Sequence, residues 1–524
     1  MFIHRLREAL ARADIRTGSG TRRGNAEAFP QPAAPPGVPR ESEHRRSALA
    51  LCTFAPMTTR RLLEETARLA ADYLEGTPER PVGWSAGVDE LRSSLGGPLP
   101  EMPTDPREVI ANLASAADPG LVASPGGRYF GFVIGGAVPA ALAADWLTST
   151  WDQNAGLYVT APSAAVVEEV AGAWTAELLG LPNGVSFAFV TGCQMAHVTA
   201  LAAARHAVLE RVGWDVNERG LVGAPMVHVV VGAERHATVD RALRFLGLGT
   251  GCIVPAAADT QGRMRPEALR NALAELDGPK IVCAQAGNVN TGSVDPLEDI
   301  ADTTEEAGAW LHIDGAFGLW AAASPALEHL VAGADRADSW ATDAHKWLNV
   351  PYDSGIAFCA HPEAQQAAMG VRASYLMHAD PDGPRDELDW NPEFSRRARG
   401  FPVYAAIRSL GRSGVAELIE RCCAHARHFG EVLGAAPNIE VLNEIVLNQV
   451  LVRFLDESGD HDARTRAVVA AVQDEGTCWL SGTTWQGIGA MRISVSSWAT
   501  TGEDVERSLD AILRCAAHAG PVAR

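Results

Sequence analysis

The sequence predicts an α/β fold: a large, mainly parallel sheet domain covered by helices, followed by a small C-terminal α+β domain. Three observations predict it. Between residues 126 and 400, short apolar runs alternate with helical stretches, as strands do when crossover helices bury both faces of a sheet. Several of these runs end in polar segments, where such sheets bind ligands. After residue 401 the order changes to a long helix, strand-like runs and a closing helix.

Residues 1–56 are rich in Arg, Pro, Gly and Ser, with Gln31-Pro-Ala-Ala-Pro-Pro-Gly-Val-Pro39 inside. They lack an apolar period and read as a disordered extension. Arginine outnumbers acid there, as in a transit peptide, but Glu27, Glu41 and Glu43 oppose that reading; Met57 is the favoured natural start. Residues 57–125 read as a helical segment. From Thr58 the pattern puts Leu62, Ala67, Leu69 and Tyr73 near one face. A second helix starts at Asp105-Pro106, with proline at its first position. The apolar face of these helices suits docking on a partner subunit.

In the large domain, 126–400, strands are expected at 185–191, 227–231, 280–285, 309–313 and 354–359. Helices are expected at 196–211, 266–276 and 297–307. The small domain, 401–524, should hold a helix over 401–433, a strand within 446–454, a helix from Asp462 and a strand at 490–495. Its last helix opens at Thr501-Gly-Glu-Asp504, a capping box with aspartate in the acidic position.

Composition removes several functions. A formal charge of −20 over 524 residues disfavours nucleic acid and anionic membranes, which need clustered Lys and Arg. No apolar run is long enough to span a bilayer. The nine cysteines are scattered, with no Cys-x-x-Cys pair and no His/Cys ligand spacing, so no metal is expected. They read as reduced core residues, which suits a cytoplasmic protein.

Four segments carry candidate chemistry. Val190-Thr-Gly-Cys-Gln-Met-Ala-His197 follows a strand and opens a helix, so Gly192, Cys193 and Gln194 can cradle a phosphate; an ordinary strand–helix turn looks the same. His236, in Ala233-Glu-Arg-His, can stack on a planar cofactor or simply cap a helix. Asp314 ends the run Trp310-Leu-His-Ile-Asp, where a buried carboxylate needs a cation or several donors. A protonated pyridine nitrogen is such a cation. Asp343-Ala-His-Lys346 then offers an amine between two tryptophans. Taken alone, Lys346 reads as a surface lysine on a helix. A lysine that has become an imine with an aldehyde cofactor escapes the cost of burial, and such lysines are the usual handle for pyridoxal phosphate.

The succession of phosphate loop, stacking histidine, His-x-Asp-x-Ala and His-Lys-Trp resembles the group II pyridoxal-phosphate-dependent amino-acid decarboxylases. The resemblance runs over roughly residues 58–515, with Arg128-Tyr-Phe-Gly-Phe, Ala161-Pro, Glu168-Glu and Ser395-Arg-Arg-Ala-Arg matching linking segments. It implies an aspartate-aminotransferase-like fold, a homodimer, an amino-acid substrate and decarboxylation to the amine. It further implies that Lys346 forms the cofactor imine, Asp314 partners the ring nitrogen and His236 stacks on the ring. Ala316 packs under the ring, Gly192, Cys193 and Gln194 meet the phosphate, His345 lies beside cofactor and substrate, and Asn288 joins the cofactor contacts. Tyr375 falls at the mobile-loop tyrosine that protonates the substrate carbon after carbon dioxide leaves; relatives with phenylalanine there tend toward oxidative deamination.

Some positions depart from the family pattern. Asp343 stands where asparagine is common near the phosphate, and Asn288 where threonine is common. Trp151, Tyr158, Tyr129 and Phe130 offer an apolar pocket for an aromatic or other apolar amino acid, and Gly156 suggests a roomier one. Rival readings are another reaction of the same cofactor, oxidative deamination or aminotransfer, with Arg492 the best candidate for an α-carboxylate, and a non-catalytic cofactor-binding dimer.

Overall fold

The computed structural model describes residues 56–371 and 383–518, so Tyr375 and residues 1–55 of the N-terminal extension lie outside the described residues. Leu62–Arg524 form one compact unit. Its larger sheet has seven strands: β1 (Ser186–Val190), β2 (His228–Gly232), β3 (Ile253–Ala256), β4 (Lys280–Gln285), β5 (Trp310–Asp314), β6 (Ser339–Asp343) and β7 (Gly355–Cys359). Their order is β1-β7-β6-β5-β4-β2-β3. Only β7 runs against its neighbours, so the sheet is mainly parallel. Strands β1, β5, β6 and β7 are buried along their whole length, as a sheet covered on both faces requires.

Strand β6 escapes detection in the sequence because Ser-Trp-Ala-Thr-Asp alternates neither apolar nor polar residues and forms no apolar run, yet all five are buried. Strand β3, at the sheet edge, contains Pro255, tolerated where no neighbour needs its N–H. The helix Cys193–Glu210 lies against the sheet; its alanines at 196, 200, 202, 203 and 204 are all buried.

The second sheet is antiparallel, with β8 (Ile439–Val441), β9 (Gln449–Phe454), β10 (Ser481–Trp485) and β11 (Ile488–Ser494) in the order β10-β11-β9-β8. The helix expected at 401–433 spans Gly400–Ala435, but it is broken at Gly411, whose φ of 62° and ψ of 177° lie outside the helical region. Glycine adopts that left-handed φ without a Cβ clash. The final helix, Gly502–His518, has the expected cap: Thr501 N–H donates to Asp504 Oδ2 at 3.0 Å, and Asp504 N–H to Thr501 Oγ1 at 3.1 Å. Near the N-terminus, Asp105 caps Pro106–Ala117 by accepting the Arg107 N–H at 2.9 Å.

Candidate active site

Three strands of the large sheet bring the candidate groups together at one end. β1 leads through Thr191 and Gly192 into the helix Cys193–Glu210; β5 ends at Asp314 and β6 at Asp343. The reversed β7 begins at Gly355, which pairs with both Val190 and Asp343. A Cβ on Gly355 would sit 2.5 Å from Gly192 Cα, so only glycine lets the β1 loop cross there. Lys346 follows β6 on a turn and is half-buried, not on a helix surface.

The residues nearest the loop form a small electrostatic cluster. Asp343 Oδ1 accepts the Cys193 N–H at 2.5 Å, and Oδ2 lies 2.9 Å from Lys346 Nζ. Burial opposes the lysine charge, but Asp343, together with Cys193 and Asp314, outweighs it and holds the amine above its usual pKa. His345 Nδ1 accepts the Ser354 N–H at 3.1 Å, its ring packs 4.3 Å from Tyr352, and burial lowers its pKa. Burial also drives the Cys193 thiol far upward, so it is a neutral donor.

Asp314 Oδ1 gathers three donors: the Ala316 N–H at 3.2 Å, His197 Nε2 at 3.5 Å and the Cys193 thiol at 3.9 Å. Burial raises its pKa, but the His197 contact, with His236 and Lys346 behind it, prevails and holds the carboxyl well below its usual range. Ala316 also accepts the Asp343 N–H at 3.0 Å, linking the two carboxylate strands. Cys193 Sγ, His197 Nε2 and Asp314 Oδ1 lie within 4.8 Å of one another, a spacing seen in metal sites that hydrogen bonding accounts for here.

Other expected residues divide. His236 caps the helix Ala237–Phe245: its Nδ1 accepts the Thr238 N–H at 3.3 Å, and burial lowers its pKa. The capping role and proximity to the site coexist, since its charge is felt by Asp314. Gln194 Nε2 donates to Thr238 O at 3.2 Å. Asn288 is engaged in its own turn, donating to Glu234 O and Gln285 Oε1 and accepting from the N–H groups of Asn290 and Thr291.

The expected aromatic pocket is also divided. Tyr129 stacks on Trp479 at 5.2 Å, and burial pushes its hydroxyl up to about 12. Phe130 is core, 1% exposed and edge-on to Phe429, while Trp151 packs edge-on against Phe401. Gly156 makes no extra room: a Cβ there would lie 2.4 Å from Phe394 O, so close backbone approach demands glycine.

Two participants were missed in the sequence: His197 and His312, both fully buried and joined Nδ1 to Nε2 at 2.9 Å. The signal was present. His197 lies one helical turn after Cys193, and His312 lies two residues before Asp314 on the same strand face.

Whether this end of the sheet fits pyridoxal phosphate is tested by its donors and its space. It presents an amine, a buried ionised carboxylate and a helix N-terminal N–H on adjoining segments. A Cβ at Gly192 would come 3.0 Å from His345 Cε1, so the loop stays open only as glycine. The set fits.

Residues 90–455 match the family described as the pyridoxal-dependent decarboxylase conserved domain. The chain belongs to that family. It is a pyridoxal-phosphate-dependent carboxy-lyase acting on an amino acid. It is similar to the aromatic-L-amino-acid decarboxylase of Bacillus atrophaeus, 28% identical over 402 residues, covering 76% of this chain and 82% of that one. It is also similar to the 4-hydroxyphenylacetaldehyde synthase of Rhodiola rosea, 26% identical over 483 residues, with 88% and 95% covered. Among solved structures, Oryza sativa TDC with PLP and tryptamine superposes with a TM-score of 0.84 at 22% identity, covering 89% of this chain and 99% of that one. That likeness establishes the aspartate-aminotransferase-like fold.

Proposed function

We propose that the chain converts an L-amino acid to its amine and carbon dioxide, with Lys346 as the residue that binds the cofactor's aldehyde carbon. The observation that carries this is the convergence of Lys346 and the ionised Asp314 at the ends of adjacent strands, beside the Gly192 loop. When bound, pyridoxal phosphate supplies an aldehyde that captures the amine and a ring that draws electrons from the breaking bond. Asp314 keeps the proton on the ring nitrogen, each pKa unit being worth about 1.4 kcal/mol. His236 would stack on the ring and Ala316 would pack under it. The 192–194 segment would hold the phosphate at its helix start, where the Cys193 N–H would turn from Asp343 to the ligand, and His345 would lie beside ring and substrate. Asn288, whose side chain and backbone are both engaged in its own turn, would stiffen the loop beside the cofactor. The seven-stranded part, 126–400, acts as the cofactor-binding domain and 401–524 as the smaller domain that flanks it.

Lys346 Nζ is held by Asp343 at 2.9 Å and would carry a proton there whenever it is not bound to the cofactor. Tyr375 returns a proton to the substrate carbon, which sets amine rather than aldehyde as product. The test is Tyr375→Phe: amine should give way to aldehyde plus ammonia, and an unaltered product ratio rejects the role.

The substrate is an aromatic or other apolar amino acid. Similarity to a relative named for aromatic substrates supports this. Carbon dioxide release across an amino-acid panel decides it; turnover confined to acidic amino acids would overturn it. We also propose a cytoplasmic homodimer. An apolar groove lined by Ala71, Leu74, Leu142, Trp146, Tyr352 and Trp498 supports pairing, and among the described residues no helix is long and apolar enough to cross a membrane.

One observation favours aminotransfer as a second reading. Arg492 is buried, its Nη1 donates only to Val289 O and Asn290 Oδ1, and burial lowers its pKa. No acidic side chain pairs with it among the described residues, so it is available to a substrate carboxylate. Keto-acid formation without carbon dioxide would select that reading.

A further inference from the structure

Behind Asp314 runs an unbroken line of buried polar groups that the reaction as proposed does not use. Trp310 Nε1 lies 2.9 Å from Ser339 Oγ, Ser339 Oγ 3.0 Å from His312 Nδ1, His312 Nε2 2.9 Å from His197 Nδ1, and His197 Nε2 3.5 Å from Asp314 Oδ1. Trp310, Ser339, His312 and His197 are each 0% exposed. Three elements contribute: β5 gives Trp310, His312 and Asp314, β6 gives Ser339, and the helix Cys193–Glu210 gives His197.

Hydrogen-bond counting fixes the direction of this line. An indole N–H can only donate, so Ser339 Oγ accepts from Trp310. The serine's own proton is then best satisfied by His312 Nδ1. Burial lowers the His312 pKa to about 3, so the ring is neutral and carries its proton on Nε2. That proton goes to His197 Nδ1, which leaves His197 with its proton on Nε2, 3.5 Å from both Asp314 Oδ1 and Cys193 Sγ. Every donor in the line therefore points toward the Asp314 end, where the Cys193 thiol, 3.9 Å from Asp314 Oδ1, shares the last contact. Buried networks that are satisfied throughout have one arrangement, which fixes the groups at their ends.

We propose that His197 and His312 are positioning residues that, with Ser339 and Trp310, hold Asp314 ionised and engaged through Oδ1, reserving Oδ2 for a ring N–H. The inference rests on Asp314 being the ring-nitrogen partner. Its consequence is selectivity: the relay strengthens binding of a ring that carries a protonated nitrogen and does nothing for an otherwise identical ring without one.

The experiment uses the full-length apo-protein and two probes, pyridoxal phosphate and its analogue with a carbon–hydrogen unit in place of the ring nitrogen, each followed by absorbance titration. His197→Gln and His312→Gln should weaken pyridoxal phosphate about tenfold, one pKa unit of coupling, while analogue affinity stays within about twofold on the same scale. Ser339→Ala, a small buried change remote from the cofactor, should lower the preference about threefold. A merely structural role weakens both probes equally, and that result overturns the relay. An unchanged preference in Ser339→Ala, together with either histidine variant that folds by its melting curve, also overturns it. Wild-type protein that takes up neither probe refutes the cofactor reading instead.

Discussion

Asp314 and Asp343 end neighbouring strands, β5 and β6, and both are almost wholly buried, yet their charges are balanced in different ways. Asp314 gathers an amide N–H, an imidazole and a thiol on a single oxygen, with no Lys or Arg in contact among the described residues. Asp343 has its cation already, Lys346 at 2.9 Å, and takes the helix N-terminal N–H of Cys193 as well. The ring end is thus prepared to receive a cation from outside. The phosphate end is neutralised from within, and a ligand must take both the amine and the N–H away from a carboxylate.

The largest effect should come from breaking the internal pair. Lys346→Ala removes the covalent anchor and leaves Asp343 buried without its cation; turnover should fall by at least about a thousandfold, on the order of 4 kcal/mol. Borohydride reduction with peptide mass analysis should find the pyridoxyl group on Lys346 in wild type. A tag on another lysine would remove Lys346 from the site. At the ring end, Asp314→Asn keeps the shape and the Ala316 hydrogen bond but loses the charge. Turnover should drop about a hundredfold, roughly 3 kcal/mol, with the melting curve little changed. Unaltered turnover would show that the ring end needs no anion.

A third buried carboxylate sharpens the contrast. Among the described residues, the Asp295 carboxylate accepts only the backbone N–H groups of Met264 at 2.7 Å and Gln285 at 2.8 Å. Burial outweighs those bonds and raises its pKa to about 6, whereas the imidazole contact carries Asp314 the other way. The native state therefore binds the Asp295 proton more tightly than the unfolded chain, whose aspartates titrate near about 4. Its stabilising contribution is complete below pH ~4 and disappears as pH rises through about 6, a loss of up to about 3 kcal/mol. Asp295→Asn cannot titrate, so its melting-temperature deficit relative to wild type should shrink between those pH values. A constant deficit would mean Asp295 is already ionised and behaves like Asp314.

How much of this was legible in the sequence follows from what each feature depends on. Apolar runs marked β1, β2, β4, β5 and β7 because burial on both faces leaves a compositional trace; β6 left none because Ser339, Thr342 and Asp343 are polar and buried. Lys346, Asp314 and the Gly192 loop could be singled out because their motifs stand in a recognisable order along the chain. What stayed hidden depended on pairing across distant segments: the Lys346–Asp343 ion pair, the four engaged hydrogen bonds of Asn288, and the crowding that forbids a side chain at Gly156. His197 is 115 residues from His312 in the chain, and only the docking of helix on sheet joins them. The break at Gly411 was invisible because glycine inside an apolar helix pattern is common and only φ distinguishes the two cases.

The smallest expected effect tests the phosphate end directly. Asp343→Asn keeps an oxygen for the Cys193 N–H and removes one negative charge from the place where a phosphate dianion would meet the helix start. Like charges about 4 Å apart repel by roughly 4 kcal/mol at an effective dielectric near 20. Lys346, which pairs with Asp343 at 2.9 Å in the wild type, already cancels part of this repulsion. The variant should bind pyridoxal phosphate about tenfold more tightly, roughly 1.4 kcal/mol, and that gain should shrink as salt is added. Pyridoxal, which lacks the phosphate, separates the two roles of Asp343. If it gains little, the carboxylate acts on the phosphate and the two ends of the site differ as described. If it gains equally, the effect runs through a freed Lys346 amine, and the carboxylate at the helix start is a partner of the lysine alone.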